Sequence, residues 1–198
     1  MSEPYKQLPL YTLARVTSYF QPRQELPERV TMSSPAVQVM TDLRQVTAYT
    51  VEANVSIDWA LFRMKELGVR LLLVINSRNQ VQGLITASDI QGDKPMRLIN
   101  ELGGRHEEIM VREIMTPYDA LEVLRMEDVL RAQVGNLVVT LQNAGRRHAL
   151  VVDRDRFTGE EAVRGIFSLS QIGRQLGRPL DAMELPSTFA QHGIALSS

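Results

Sequence analysis

The sequence predicts a mixed α/β fold, α+β in its layering, built from two β-α-β-β-α repeats packed about a pseudo-two-fold axis. Three observations predict it. The stretch M-K-E-L-G-V-R-L-L-L-V-I-N (64–76) returns as L-Q-N-A-G-R-R-H-A-L-V-V-D (141–153), an offset of 77 residues set by Gly68 and Gly145. G-L-I-T-A-S-D-I (83–90) returns as G-I-F-S-L-S-Q-I (165–172). The apolar stripe Ile57, Ala60, Leu61 and Met64, spaced i, i+3, i+4 and i+7, returns as Val134, Leu137, Val138 and Leu141.

The elements of each repeat follow in order. V-M-T (39–41) and I-M-T (114–116) open the two copies and lead into short strands, A-Y-T-V (48–51) and A-L-E-V-L (120–124). The amphipathic helix comes next and stops at Gly68 or Gly145, glycine being the residue that best takes the left-handed C′ position. The runs L-L-L-V-I (71–75) and H-A-L-V-V (148–152) read as buried strands. A hairpin then returns the chain to a second strand entered through Gly83 or Gly165, and a second helix follows. The hairpin is longer in the second copy, R-D-R-F-T-G-E-E-A-V, where added loop residues cost little. One unit of about 55 to 60 residues buries only a marginal core, so the stable object is two copies packed together. This places an N-terminal segment at 1–35, the first repeat at 36–104, the second at 105–178 and a tail at 179–198.

Composition excludes several function classes. The 198 residues carry 22 Lys and Arg against 23 Asp and Glu, and a net charge of -1 offers no general attraction to nucleic acid or acidic lipid. With no cysteine there are no disulfides, thiolate zinc sites or cysteine nucleophiles, which fits a reducing compartment. The start M-S-E-P-Y-K lacks the signature of a signal peptide, and no stretch approaches about 18 uninterrupted apolar residues, so a cytoplasmic protein without a membrane span is expected. There is no G-x-x-x-x-G-K-[ST] phosphate loop. His106, His148 and His192 are scattered, and R-H-E-E-I lacks the spacing that puts two imidazoles on one helical face. No metal site and no catalytic residue is expected, and the protein is read as no enzyme. Residues 1–30 hold Tyr5, Tyr11, Tyr19 and Phe20 between Pro4, Pro9, Pro22 and Pro27, too aromatic a segment to stay undocked, so it is expected on the repeats or on a second copy.

The duplicated G-x-x-T/S-x-x-D/Q stretch carries the chemistry. Thr86 and Asp89 support two readings. As T-x-x-D before an apolar run they form a capping box at the start of a helix. As a hydroxyl and a carboxylate at a helix start they suit a phosphate and a vicinal diol, both carboxylate oxygens being acceptors. The second copy has Ser168 and Gln171, which keep the capping role and weaken the diol role. Arg70 and the run G-R-R-H (145–148) open corresponding strands, where side chains facing the cleft could meet a phosphate; the alternative is a solvated loop, and for His148, which begins a buried run, a satisfied core histidine. Lys94, Arg97 and Arg105, between the repeats, are weaker candidates.

Taken in this order, twice, these motifs resemble the cystathionine-β-synthase (CBS) domain, two in tandem resembling a stand-alone Bateman module, over roughly residues 36–177. The family often has proline where Leu73 and Leu150 stand, a difference that bears on strand entry. The resemblance implies a regulatory sensor of an adenosyl ligand, of the AMP, ADP, ATP or S-adenosylmethionine type, bound between the repeats with no tightly held cofactor. It implies Thr86, Asp89, Arg70, Leu72, Arg147, His148 and Ser168 as ligand contacts, a homodimer, and output through changed packing to a protein effector or to the oligomer itself. A ligand-free dimerisation scaffold is the alternative.

Overall fold

A computed structural model describes residues 22–180 together with 9–12, 14, 15 and 18. Tyr5, Tyr19, Phe20 and the tail from 181 onward, on which expectations were placed, lie outside the described residues.

Two four-stranded sheets carry the fold. In the first, β2 (Thr50–Glu52) lies parallel to β3 (Leu71–Ile75), which pairs antiparallel with β4 (Val81–Thr86), and β4 pairs with β5 (Thr116–Pro117). In the second, β6 (Val123–Arg125) lies parallel to β7 (His148–Arg154), which pairs antiparallel with β8 (Glu161–Ser168), and β8 pairs with β1 (Thr41–Asp42). The expected β-α-β-β-α order is therefore present twice. The entry strands, however, are exchanged: β1 opens the first repeat yet completes the second sheet, and β5 does the reverse.

The exchange extends upstream of both strands. Val134 and Gly135, at the start of α6 (Val134–Asn143), donate backbone hydrogen bonds to Ser34 and Met32 at 2.8 Å each. At the equivalent place Ile57, which opens α1 (Ile57–Glu66), donates to Ile109 at 3.0 Å. The cores follow the exchange. Ala36, Val39 and Met40 pack with α5 (Met126–Val129), α6, β7 and β8, whereas Ile109 and both ends of α4 (Val111–Ile114) pack with α1, β3 and β4. Each half thus buries apolar side chains from the other half's sequence, which a repeat too small to build its own core requires.

The helix ends obey the local rules. After α1, Gly68 takes φ +65°, its N–H donates to Lys65 at 3.2 Å and that of Val69 to Met64 at 2.9 Å. Gly145 (φ +62°) and Arg146 repeat this after α6, the paired bonds of a Schellman motif in both copies. In β3 successive side chains point to opposite faces: Leu71 and Leu73 join Leu150 in a small core between the sheets, while Leu72 and Val74 enter the core under α1.

Two features differ from the expectation drawn from sequence. Gly83 and Gly165 do not open their strands but lie inside them, each facing an exchanged strand. The second helix of the first repeat is broken at Gly92 into α2 (Ala87–Gln91) and α3 (Lys94–Leu102). Its counterpart α7 (Leu169–Leu176) is continuous to Gly177 at φ +71°. Of the N-terminal segment, residues 22–30 make contacts within the chain, Val30 donating to the Gln175 carbonyl at 3.0 Å and Gln24 donating to Met40 and accepting from Asp42, whereas Tyr11, expected to dock, is 87% exposed.

Candidate functional site

Where the loop after β1 and the start of β3 face the end of β8 and the first turn of α7, the packing between the repeats opens into a cavity of about 1140 Å³. That is room enough for a nucleotide-sized ligand. Its floor is apolar, with Leu43, Ala48, Leu71 and Ile166, and its rim carries Thr41, Thr47, Arg70, His148, Ser168 and Gln171. A recess of about 120 Å³ adjoins it, lined by Arg70, Arg147 and His148 with Ser88 and Ser170.

The residues singled out from sequence distribute unevenly around these spaces. Arg70, His148 and Ser168 line the cavity, and Arg70, Arg147 and His148 meet at the recess. Leu72 is fully buried in the core under α1. Thr86 and Asp89 line neither space. Sequence reasoning missed residues 41–49 and the pair Arg174 and Arg178, which carry no periodicity; Arg174 at i+3 from Gln171 in the second helix of the repeat was the available signal.

Thr86 and Asp89 form the capping box in full. The Thr86 N–H and hydroxyl donate to Asp89 Oδ2 at 2.8 and 2.6 Å, and the Asp89 N–H donates to Thr86 Oγ1 at 3.2 Å. The remaining carboxylate oxygen, Oδ1, is 2.6 Å from Lys94 Nζ, which also donates to the Ile114 carbonyl at 3.1 Å. Both oxygens of the carboxylate are therefore engaged from within the chain.

The second copy corrects an expectation. Ser168 and Gln171 do not close a capping box: no side chain caps α7, Ser168 Oγ lies 2.9 Å from Ser170 Oγ, and Gln171 Nε2 reaches the Val39 carbonyl at 3.5 Å. The longer amide side chain is drawn to the exchanged entry segment instead of curling back to its own N-terminus. This leaves hydroxyls and an amide facing the cavity.

His148 is half-buried at the meeting of the two spaces, and its pKa is lowered from 6.5 to about 4, first by burial and then by the charges of Arg147 and Arg70, with Asp89 opposing. It is neutral at pH 7. Because the folded value lies below the unfolded one, the unfolded chain binds the extra proton between them, and stability is lost as pH falls from about 6.5 toward 4. Urea denaturation at pH 7 and pH 5 should show the parent losing roughly 2 kcal/mol more than His148→Gln; equal losses would remove His148 from the acid response.

Two interleaved α/β repeats with exchanged entry strands and a cavity at their seam define a tandem-repeat module of the kind the sequence motifs suggested. Residues 31–92 match the family model of the CBS domain, and the chain has the architecture of a CBS-domain pair. An uncharacterized conserved protein from Pyrococcus horikoshii is similar at 26% identity and TM-score 0.52, over 72% of this chain and 92% of that one. A CBS-domain containing protein from Agrobacterium tumefaciens shares the fold at 18% identity and TM-score 0.53, over 80% of this chain and 98% of that one. So does a CBS domain pair solved in complex with 5-methylthioadenosine and S-adenosyl-L-methionine, at 18% identity and TM-score 0.50, over 74% and 98%. No curated protein matches the chain. Among the described residues no cluster of three or more His, Cys, Asp or Glu could hold a metal ion, and no helix is long and apolar enough to cross a membrane.

Proposed function

We propose that the chain is a non-catalytic regulatory module that binds an adenosyl ligand in the cavity between its repeats and signals by a change in their packing. The observation that carries this reading is the cavity's position at the seam. Thr41 and Leu43 come from the exchanged entry segment, Arg70 and Leu71 from the start of β3, and Ser168 and Gln171 from the end of β8 and the first turn of α7, so a ligand there bears on all three at once. A CBS domain pair of the same fold holds 5-methylthioadenosine and S-adenosyl-L-methionine, which makes adenosyl compounds the class to test first. Arg70, His148 and Ser168 are the contacts among the sequence candidates, with Arg147 reached through the recess. The walls offer arginines, hydroxyls, an amide and one neutral histidine, and among the described residues no carboxylate lines the cavity to orient that histidine as a base, which supports binding over catalysis.

A thermal-shift screen of adenosyl compounds tests the reading: a ligand at about 100 times its Kd should add roughly 2.7 kcal/mol of stability. No shift with any adenosyl compound at millimolar concentration overturns it.

The chain is further read as a homodimer. Phe62 on α1 and Val139 on α6 are 57% and 42% exposed and occupy pseudo-equivalent positions, with Trp59 on α1 46% exposed. An apolar strip on helices outside both cores suits an isologous contact. Light scattering at micromolar concentration should give twice the chain mass, and Phe62→Glu with Val139→Glu should give the monomer; a monomeric parent sinks this part of the proposal.

A further inference from the structure

Residues 22–30 run from β1 to the end of α7 on hydrogen bonds made with two glutamines. The Gln24 side chain donates from Nε2 to the Met40 carbonyl at 2.8 Å and accepts the Asp42 N–H at Oε1 at 2.7 Å. Both of those groups lie on the outer side of β1. The inner side faces β8, where Leu43 donates to the Arg164 carbonyl at 3.0 Å. Because β1 is the edge of its sheet, one side-chain amide takes the place that a further strand would hold. At the other end Gln175 of α7, 7% exposed, donates from Nε2 to the Pro27 carbonyl at 2.7 Å, and its backbone carbonyl accepts the Val30 N–H at 3.0 Å. No residue from 22 to 30 is buried, although Val30 packs against the core that holds α6 and α7. Just beyond, Ala36, Val39 and Met40 are at most 1% exposed. The two elements gripped in this way also wall the cavity. Thr41, between the two residues that Gln24 holds, lines it, as do Arg174 and Arg178 on either side of Gln175 in sequence, and Pro22 itself.

From this placement we infer that residues 22–30 are a releasable strap, which lifts from β1 and α7 as one unit while the repeats stay folded, and that filling the cavity holds it down. Only the second half rests on the proposed binding in the cavity. A segment held by four hydrogen bonds and no buried side chain opens at far lower cost than the fold it lies on. A ligand against Pro22 gains that contact only while the strap is docked, so it favours the docked form, and loosening the strap must weaken the ligand by the same factor. Since the strap follows residues 1–21, the state of the cavity reaches the N-terminal segment through it, alongside the change in packing.

Amide hydrogen exchange of the full chain, followed by NMR at Asp42, Val30 and Val134, tests this. Asp42 and Val30 donate across the strap, one at each end, whereas Val134 donates to the Ser34 carbonyl at 2.8 Å, just past it. Gln24→Ala should speed exchange about tenfold at Asp42 and also at Val30, whose own partner is untouched. Gln175→Met, which keeps the buried volume and the backbone carbonyl, should likewise speed both. Val134 should change less than twofold in either variant. ATP, S-adenosylmethionine and 5-methylthioadenosine are the ligand probes. One that binds, at about 100 times its Kd, should slow Asp42 and Val30 at least tenfold more than Val134, and Gln24→Ala should weaken it about threefold or more. Acceleration confined to the mutated end, or shared equally by Val134, overturns the single releasable unit. Binding that leaves Asp42 and Val30 unchanged overturns the coupling and leaves the adenosyl reading in place. No binding by any of the three at millimolar concentration overturns the coupling and the adenosyl reading together, while the two variants decide the strap by themselves.

Discussion

Replacing Asp42 with alanine should lower the stability of the chain by about 3 kcal/mol, the low end of what removing one partner of a buried ion pair costs. Asp42 lies in β1, opposite Gly165 of β8, and its carboxylate Oδ1 pairs with Arg164 Nη1, both side chains being nearly buried at 10% and 13% exposure. A bulge sets this up. The β7–β8 register skips Arg164, between Val151↔Gly165 and Val152↔Val163, and bulges re-aim the side chain they carry. Burial already lowers the Arg164 pKa, and its next acidic neighbour, Asp153 Oδ2, is 3.8 Å from Nε, too weak a substitute to hold the charge alone. Asp42 also accepts the Arg44 N–H at 2.8 Å, so Asp42→Asn, which keeps that acceptor and loses the charge, should fall between parent and alanine. The double change Asp42→Leu with Arg164→Met removes both charges and should regain most of the loss. Urea denaturation of these four proteins, together with Asp42→Leu and Arg164→Met made singly, measures this. Additive losses in the double variant would mean that the two residues do not act as a pair. Because Thr41 of the same two-residue strand lines the cavity, Asp42→Ala should also weaken whatever ligand the screen identifies.

Much of the fold was legible because it is written in local periodicity. The stripe from Ile57 to Met64 and its copy from Val134 to Leu141 became α1 and α6, and L-L-L-V-I became β3 residue for residue, since each pattern is satisfied within one element. The exchange of β1 and β5 was not legible. Strands of two residues carry no alternation, and their partners lie 123 or more positions away in the second sheet and 32 or more in the first, so only the duplicated M-T hinted at a shared role. Asp42 and Arg164 were passed over for a related reason: charged residues in short polar stretches read as surface until a bulge and an exchanged strand bring them together inside. At the candidate site, Arg70, His148 and Ser168 were found through the repeat itself. The preference for Asp89 over Gln171 went unsupported by the cavity because the partner that occupies Asp89, Lys94, sits beyond the Gly92 break, where sequence gave no register.

The glycines of the duplicated motif make the second large effect. Gly83→Ala should cost about 3 kcal/mol, the upper part of the range for overpacking a closed interior. Neither Gly83 nor Gly165 has a positive φ, so conformation is not why glycine stands there. A Cβ at Gly83 would lie 2.5 Å from the Thr116 carbonyl oxygen and 3.3 Å from Pro117 Cα, both backbone atoms of β5. Backbone cannot rotate aside as a side chain does; β5 must move, and it is tied to Val111 and Ile114, which complete the core under α1. At Gly165 the nearest obstacles are Met40 Sδ at 2.5 Å and Cγ at 2.7 Å, with the Thr41 carbonyl oxygen farther off at 3.0 Å. Methionine is unbranched and re-rotamers readily even when buried, so Gly165→Ala should cost less, about 1 to 2 kcal/mol. Gly68→Ala, where a Cβ meets nothing within 4 Å but φ is +65°, should cost about 1 kcal/mol through backbone strain alone. Chemical denaturation of the three variants should give the order Gly83 above Gly165 above Gly68. If Gly83→Ala is as mild as Gly68→Ala, β5 is not held against β4 as tightly as the exchange of entry strands requires, and the two repeats are joined through their apolar faces instead of through each other's sheets.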